Sequence, residues 1–175
     1  MSTTKNSIGP VAWVQSFPHA VRDLVSRRTH CTRDLVGTPL HMRDGRTFVP
    51  FRHTRKNETA WSPSYHPAVL QPRFHLGILT PRRRRLHALF RVVCIVTTPF
   101  FVGIRGFRSK LWMVDPVTGD FAGLYEWDDA ATAEAYAEGL AKVLRLLSTR
   151  GSVTYELVEN CTVDEYLGAQ VPHAA

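Results

Sequence analysis

Two short segments of alternating character, held together by a turn containing one proline and one glycine, constrain this chain more than anything else in it. FRSKLWMVD (107–115) and FAGLYEWD (121–128) flank residues of PVTG type, which suit a tight connection. They predict an antiparallel hairpin. If Asp115 pairs with Asp120, then Met113 sits opposite Ala122, Leu111 opposite Leu124 and Ser109 opposite Glu126. Asp128 or Asp129 next caps a helix over 130–148, in which Ala133, Tyr136, Ala137, Leu140, Val143, Leu144 and Leu147 form an apolar stripe. Gly151 closes it.

Upstream, RFHLGIL (73–79) alternates enough for a strand. A helix starts near Pro81, with Leu86, Leu89, Phe90, Val93 and Cys94 at spacings of three and four, and Pro99 kinks or ends it. Residues 153–158 supply a last strand. Strand, helix, hairpin, helix, strand is the order of a ferredoxin-like α+β unit, expected here over 71–168. Residues 1–70 have another texture, with six of the eleven prolines and five of the eight histidines. That part reads as an extension packed on the module: a helix over 11–28 broken at Pro18, a hairpin over 39–53 turning at Asp44-Gly45, and a long arm over 53–72. Pro50 confines the second hairpin strand to an edge. Residues 169–175 read as a flexible tail.

A chain of 175 residues with 44% hydrophobic content can bury one core of ordinary size. Its net charge of +7 is compatible with nucleic acid, an anionic membrane or an anionic small molecule as partner. No nucleic-acid reading motif and no basic element interleaved with aromatics is present, so nucleic acid is not expected, and Arg82, Arg83, Arg84 and Arg85 read as a solvated helix start. Cys31, Cys94 and Cys161 are odd in number and outside metal-ligand spacing, which points to a reducing compartment, the cytoplasm, and to no metal site. Cys94 reads as packing. The first twenty residues lack a signal-peptide pattern. VVCIVTTPFFVGI (92–104) is about 13 residues long, short of the roughly 20 that span a bilayer, and reads as a buried helix, with an interfacial anchor as the other reading. There is no glycine-rich phosphate loop, dinucleotide fingerprint, GxSxG or HExxH. His53 and His66 read as surface-loop residues, with capping of the pocket or metal ligation as the other reading although their spacing matches no known site, and Asp164, Glu165 and Tyr166 read as an exposed turn.

Gly106-Phe107, Lys110 with Trp112, Gly123 with Tyr125, and Ala133, Ala135 and Tyr136 together make a pattern. It resembles the YdhR-like monooxygenase group of the dimeric α+β barrel superfamily, which includes the antibiotic-biosynthesis monooxygenases. The likeness covers about 60 residues tightly and about 95 loosely. It implies a homodimer whose concave sheet face binds small molecules. That superfamily also holds haem-degrading enzymes, decarboxylases, cyclases and proteins of no known activity.

Alternation divides the strand side chains into two sets. One contains Leu111, Met113, Ala122 and Leu124, with Phe74, Leu76 and Ile78; aliphatic sets of this kind are expected beneath the helices. The other gathers Arg73, His75, Arg108, Lys110, Trp112, Tyr125 and Trp127 on the open face. Flat apolar walls beside cations suit a ligand that is or becomes anionic. The expected function is a cofactor-independent monooxygenase-like enzyme acting on an apolar aromatic or polyketide-type substrate through a phenolate or enolate. His75 would be the base, Arg108 and Lys110 would hold the anion, and Arg73, Trp112, Tyr125 and Trp127 would bind substrate. The alternatives are a polyketide cyclase or isomerase in the same site, and a non-catalytic small-ligand-binding dimer. No cofactor is expected, with haem as the alternative.

Overall fold

The computed structural model describes residues 29–42, 44–57, 66–76 and 98–168. The helices read from the sequence over 11–28 and from Pro81 to 97, the middle of the arm and the tail lie outside them. The described strands are β1 (Thr29–Thr32), β2 (Leu40–His41), β3 (Thr47–Lys56), β4 (Ala68–Phe74), β5 (Phe107–Val114), β6 (Phe121–Trp127) and β7 (Thr154–Glu159). The helices are α1 (Thr98–Val102), α2 (Ala130–Leu147) and α3 (Val163–Gly168).

The strands form one antiparallel sheet in the order β1-β3-β5-β6-β4-β7, with β2 paired to the start of β3. Its last four strands, β5-β6-β4-β7, have the ferredoxin-like order, and the upstream strands lengthen the sheet along the β5 edge. The expected hairpin register holds at every pair named above. Asp115 Oδ1 fixes the turn by accepting from the N–H groups of Val117 and Thr118 at 2.8 and 3.0 Å, and Gly119 takes the positive φ of 76° that the reversal requires. The chain also turns at Asp44-Gly45, with Gly45 at φ 79°, but Leu40 pairs with Phe48 and His41 with Thr47, one residue off the register of the expected two-residue turn.

Several expectations need correction. Pro50 does not mark an edge strand, because β3 runs between β1 and β5; a bulge between Pro50 and Arg52 absorbs the proline. The arm contains β4 from Ala68 onward, so a boundary between 70 and 71 falls inside a strand. Pro99 lies within α1, and the segment before it in which a helix is expected lies outside the described residues. Tyr166 is fully buried, its hydroxyl bonded to Gln71 and Glu156, and Thr162 and Glu165 form a capping box that starts α3.

Both faces of the sheet are covered. On one lie α1 and α2, and α2 is capped by Asp129, whose carboxylate accepts from Thr132 N at 2.7 Å. On the other, Val69, Leu111, Met113 and Leu124 are fully buried under Met42, Phe48, Val163 and Tyr166, contributed by the upstream hairpin and α3. The second face of the sheet is thus buried within one chain.

Candidate functional site

The alternation was read correctly and the faces were assigned the wrong way round on the hairpin. Trp112, Tyr125 and Trp127 lie with Phe101, Val102, Ala133, Tyr136 and Ala137 beneath the helices. The reason is complementarity of size: α2 presents Ala133, Ala137 and Ala141, and large rings on the sheet fill the space those small side chains leave. Rings on the sheet and alanines on the helix pack as well as the reverse.

Within this layer Lys110 is 2% exposed. Its Nζ lies 2.8 Å from the ring centroid of Trp112, 4.3 Å from that of Tyr125 and 4.4 Å from that of Phe101. Ring faces attract an ammonium, by about 2 kcal/mol or more when water is excluded. Tyr125 stacks on Trp127 at 6.3 Å and accepts a hydrogen bond from the hydroxyl of Tyr136 at 3.2 Å. Burial pushes the Tyr136 phenol far up, so it is a donor and not a base at neutral pH. The indole N–H groups of Trp112 and Trp127 are buried without a hydrogen-bond partner among the described residues. Gly123, opposite Trp112, is needed for space: a Cβ there would lie 2.6 Å from Tyr125 Cε2.

Three of the expected site residues are elsewhere. A bulge between Phe107 and Ser109 takes Arg108 out of alternation with Lys110, and its guanidinium donates to Asp128 in a buried ion pair. Arg73 and His75 leave β4 on the opposite face from Lys110, as Arg73 packs over Phe48 at 5.9 Å and pairs with Asp44. His75 bonds through Nδ1 to Asp120 at 2.6 Å. Asp120 is five residues from Tyr125, the partner of Lys110, or about 16 Å along the strand at the usual rise. His75 therefore cannot act as a base at the ring cluster.

Arg73 and His75 belong to a second assembly at the hairpin tip. Arg46 donates to Asp115 and Thr118 at 3.1 Å and to Asp120, and its guanidinium lies over Phe48. Burial draws the Asp120 carboxyl upward, but hydrogen bonds from Arg46 and His75 outweigh it and hold the group below the usual carboxylate range. Asp115 is likewise held low against burial by the N–H groups of Thr118 and Val117 and by Arg46. Charges so thoroughly compensated fasten the upstream hairpin to the module. Neither Arg46 nor Asp120 stood out in the sequence, since only tertiary structure brings them together.

Among the described residues, no three His, Cys, Asp or Glu side chains are placed to hold a metal ion, and no helix is long and apolar enough to cross a membrane. The described histidines give a haem no axial ligand beside Lys110. His30 bonds Asn57, His41 bonds Thr47, His53 bonds Thr32, His75 bonds Asp120, and His66 is exposed.

Strand order and helix cover define a ferredoxin-like α+β unit extended by upstream strands. No protein-family model and no curated protein matches the chain. Solved structures similar to it include two from one bacterium. One is an uncharacterized ferredoxin-fold protein related to antibiotic biosynthesis monooxygenases, from Listeria monocytogenes, with 10% identity, 82% of this chain and 89% of that chain covered, and a TM-score of 0.45. The other is a heme-degrading enzyme from Listeria monocytogenes, with 13% identity, 79% and 91% covered, and a TM-score of 0.44.

Proposed function

We propose that the chain is a small-molecule enzyme whose site is the ring cluster around Lys110, and that it oxygenates an apolar aromatic or polyketide-type substrate without a cofactor. The observation that carries this reading is an amine enclosed by three ring faces in a layer that simple core packing would fill with hydrocarbon. With His75 engaged at the hairpin tip, Lys110 takes over the role of base. Its amine accepts a proton from an activated CH2 of the substrate, and the ammonium so formed holds the delocalised enolate or phenolate electrostatically. The closed ring layer has to part for a substrate to enter; Trp112, Tyr125 and Trp127 then lie against the substrate ring, and the two indole N–H groups donate to its oxygens. The carbanion adds dioxygen, Lys110 returns its proton to the peroxide, and water leaves. One CH2 becomes one C=O, dioxygen supplies both the carbonyl oxygen and the water oxygen, and the four electrons come from the substrate carbon.

The experiment is oxygen uptake with anthrone, a three-ring probe with one activated CH2, alongside quenching of tryptophan fluorescence to follow binding. The wild type is expected to consume one dioxygen per anthraquinone formed. Lys110→Met is expected to lose at least about 100-fold in rate while still quenching. Quenching without oxygen uptake by the wild type would replace the oxygenase reading with a ligand-binding module. Absence of both would remove this site for aromatic ligands.

A further inference from the structure

The chain has four lysines, Lys5, Lys56, Lys110 and Lys142, in very different surroundings. Lys142 is exposed on α2, Lys56 is half-buried at the end of β3, and Lys5 lies outside the described residues. Lys110 is enclosed by the ring faces of Phe101, Trp112 and Tyr125. In water a lysine amine is neutral in only about one molecule in 2,500 at pH 7. Removing water penalises the ammonium by more than ring faces return, so the layer favours the neutral amine. A neutral amine is a nucleophile as well as a base, and burial is what makes a lysine serve as either.

The electrophile that suits such an amine is a carbonyl carbon. The nitrogen lone pair adds to that carbon, the C=O pair moves to oxygen, and a carbinolamine forms as one amine proton passes to that oxygen. The second amine proton then leaves with the hydroxyl as water, and the C–O bond is replaced by C=N. Nothing is oxidised or reduced. In bulk water this product hydrolyses readily, whereas a layer from which water is excluded protects it. The walls select the rest of the molecule. Three ring faces suit an aryl group, and the indole N–H groups of Trp112 and Trp127, buried without a hydrogen-bond partner among the described residues, suit one that bears oxygen.

We infer that Lys110 is a covalent site for oxygen-bearing aryl aldehydes, which it captures as Schiff bases. This rests on the reading of the ring cluster as the site, and the layer has to part for entry here too. It needs neither dioxygen nor an activated CH2. An aldehyde so held occupies the amine that the oxygenation uses, so aldehydes of this class block that reaction reversibly, in competition with substrate.

The test uses 2-hydroxy-1-naphthaldehyde, whose Schiff base absorbs at longer wavelength than the free aldehyde. The full-length wild type at pH 7 is expected to develop this band to one aldehyde per chain. After reduction with borohydride, peptide mass mapping is expected to find the adduct on Lys110 more than about 100-fold in excess of Lys142. Lys110→Met is expected to lose the band and Lys142→Arg to keep it, with circular dichroism verifying the fold of both. The inference is overturned by a wild type that develops no band, by label spread evenly over Lys56, Lys110 and Lys142, or by a folded Lys110→Met that keeps the band. Oxygen uptake with anthrone on the same preparation separates the two readings. Uptake without capture removes the covalent site alone, and capture without uptake removes the oxygenation and leaves the covalent site standing.

Discussion

Gly123→Ala gives a direct measure of how tightly the ring layer is built. Gly123 does not have a positive φ, so the backbone accepts alanine, and in a strand alanine is favoured over glycine by about 0.5–1 kcal/mol. The side chain is the obstacle. Its Cβ would stand 2.6 Å from Tyr125 Cε2 and 3.4 Å from Cδ2 and Cζ, so the ring must move by close to an ångström. Tyr125 has nowhere to go, since Trp127 stacks on it, Phe101 meets its edge at 6.1 Å, and Tyr136 lies 5.2 Å away. Overpacking of this kind costs about 1–3 kcal/mol, and displacing the ring also strains the Tyr136 hydrogen bond, worth about 1 kcal/mol. Net of the backbone gain, the loss is about 1–3 kcal/mol, or a Tm lower by roughly 2–10 °C for a domain of this size. Differential scanning calorimetry measures it. In a Tyr125→Leu background the obstacle is gone, and the same substitution is expected to be neutral or to stabilise by about 0.5–1 kcal/mol. If Gly123→Ala raises Tm with Tyr125 intact, the ring does not occupy that space and the layer is misdescribed.

Other consequences are equally open to measurement. Asp120→Asn is expected to cost about 1–3 kcal/mol at pH 7. Because the folded carboxyl titrates below its unfolded value near 3.9, that stabilisation exists above the unfolded value and disappears as pH falls through the folded one, so urea titrations of mutant and wild type should converge once the pH is below the folded value. Arg108→Ala strands the Asp128 carboxylate in a buried site and is expected to cost about 3–5 kcal/mol by chemical denaturation, whereas an exposed ion pair would cost under 1. Asp129→Ala removes the α2 cap, with an expected loss near 1 kcal/mol; an unchanged midpoint would mean that helix ends are held by packing alone.

The local elements of this fold were legible because their causes are local. Turn chemistry at Asp115 to Asp120 and at Asp44-Gly45, the Asp129 cap and the α2 stripe all act within a few residues, and the β5–β6 register follows from them. The candidate site was legible only in part. Lys110, Trp112, Tyr125 and Trp127 do lie together, since alternation carries that information, but which face the helices cover depends on Ala133, Ala137 and Ala141 across the layer. Arg108 was lost to a bulge, which leaves no mark on a pattern of polar and apolar residues. Arg73 and His75 were placed by assuming that aliphatic sets on different strands share a face, and on β4 and β5 they do not. The early start of β4 is hidden because Pro67 and Pro72 flank or interrupt an otherwise apolar run, and β1 because its four residues, THCT, carry no apolar alternation.

The seam between β3 and β5 bears on how the molecule assembles in time. Val49 pairs with Val114 across about 65 residues of intervening chain, and closing so long a loop costs roughly 3–4 kcal/mol of entropy before any rung of the ladder repays it. The β5–β6 hairpin, whose ends are only a few residues apart, carries no such burden. Refolding is therefore expected to begin there, with the upstream strands arriving late and their rate falling with contact distance. Once made, β1 to β3 must wait through synthesis of about a third of the chain, from Lys56 to Val114, before the surface they belong to exists.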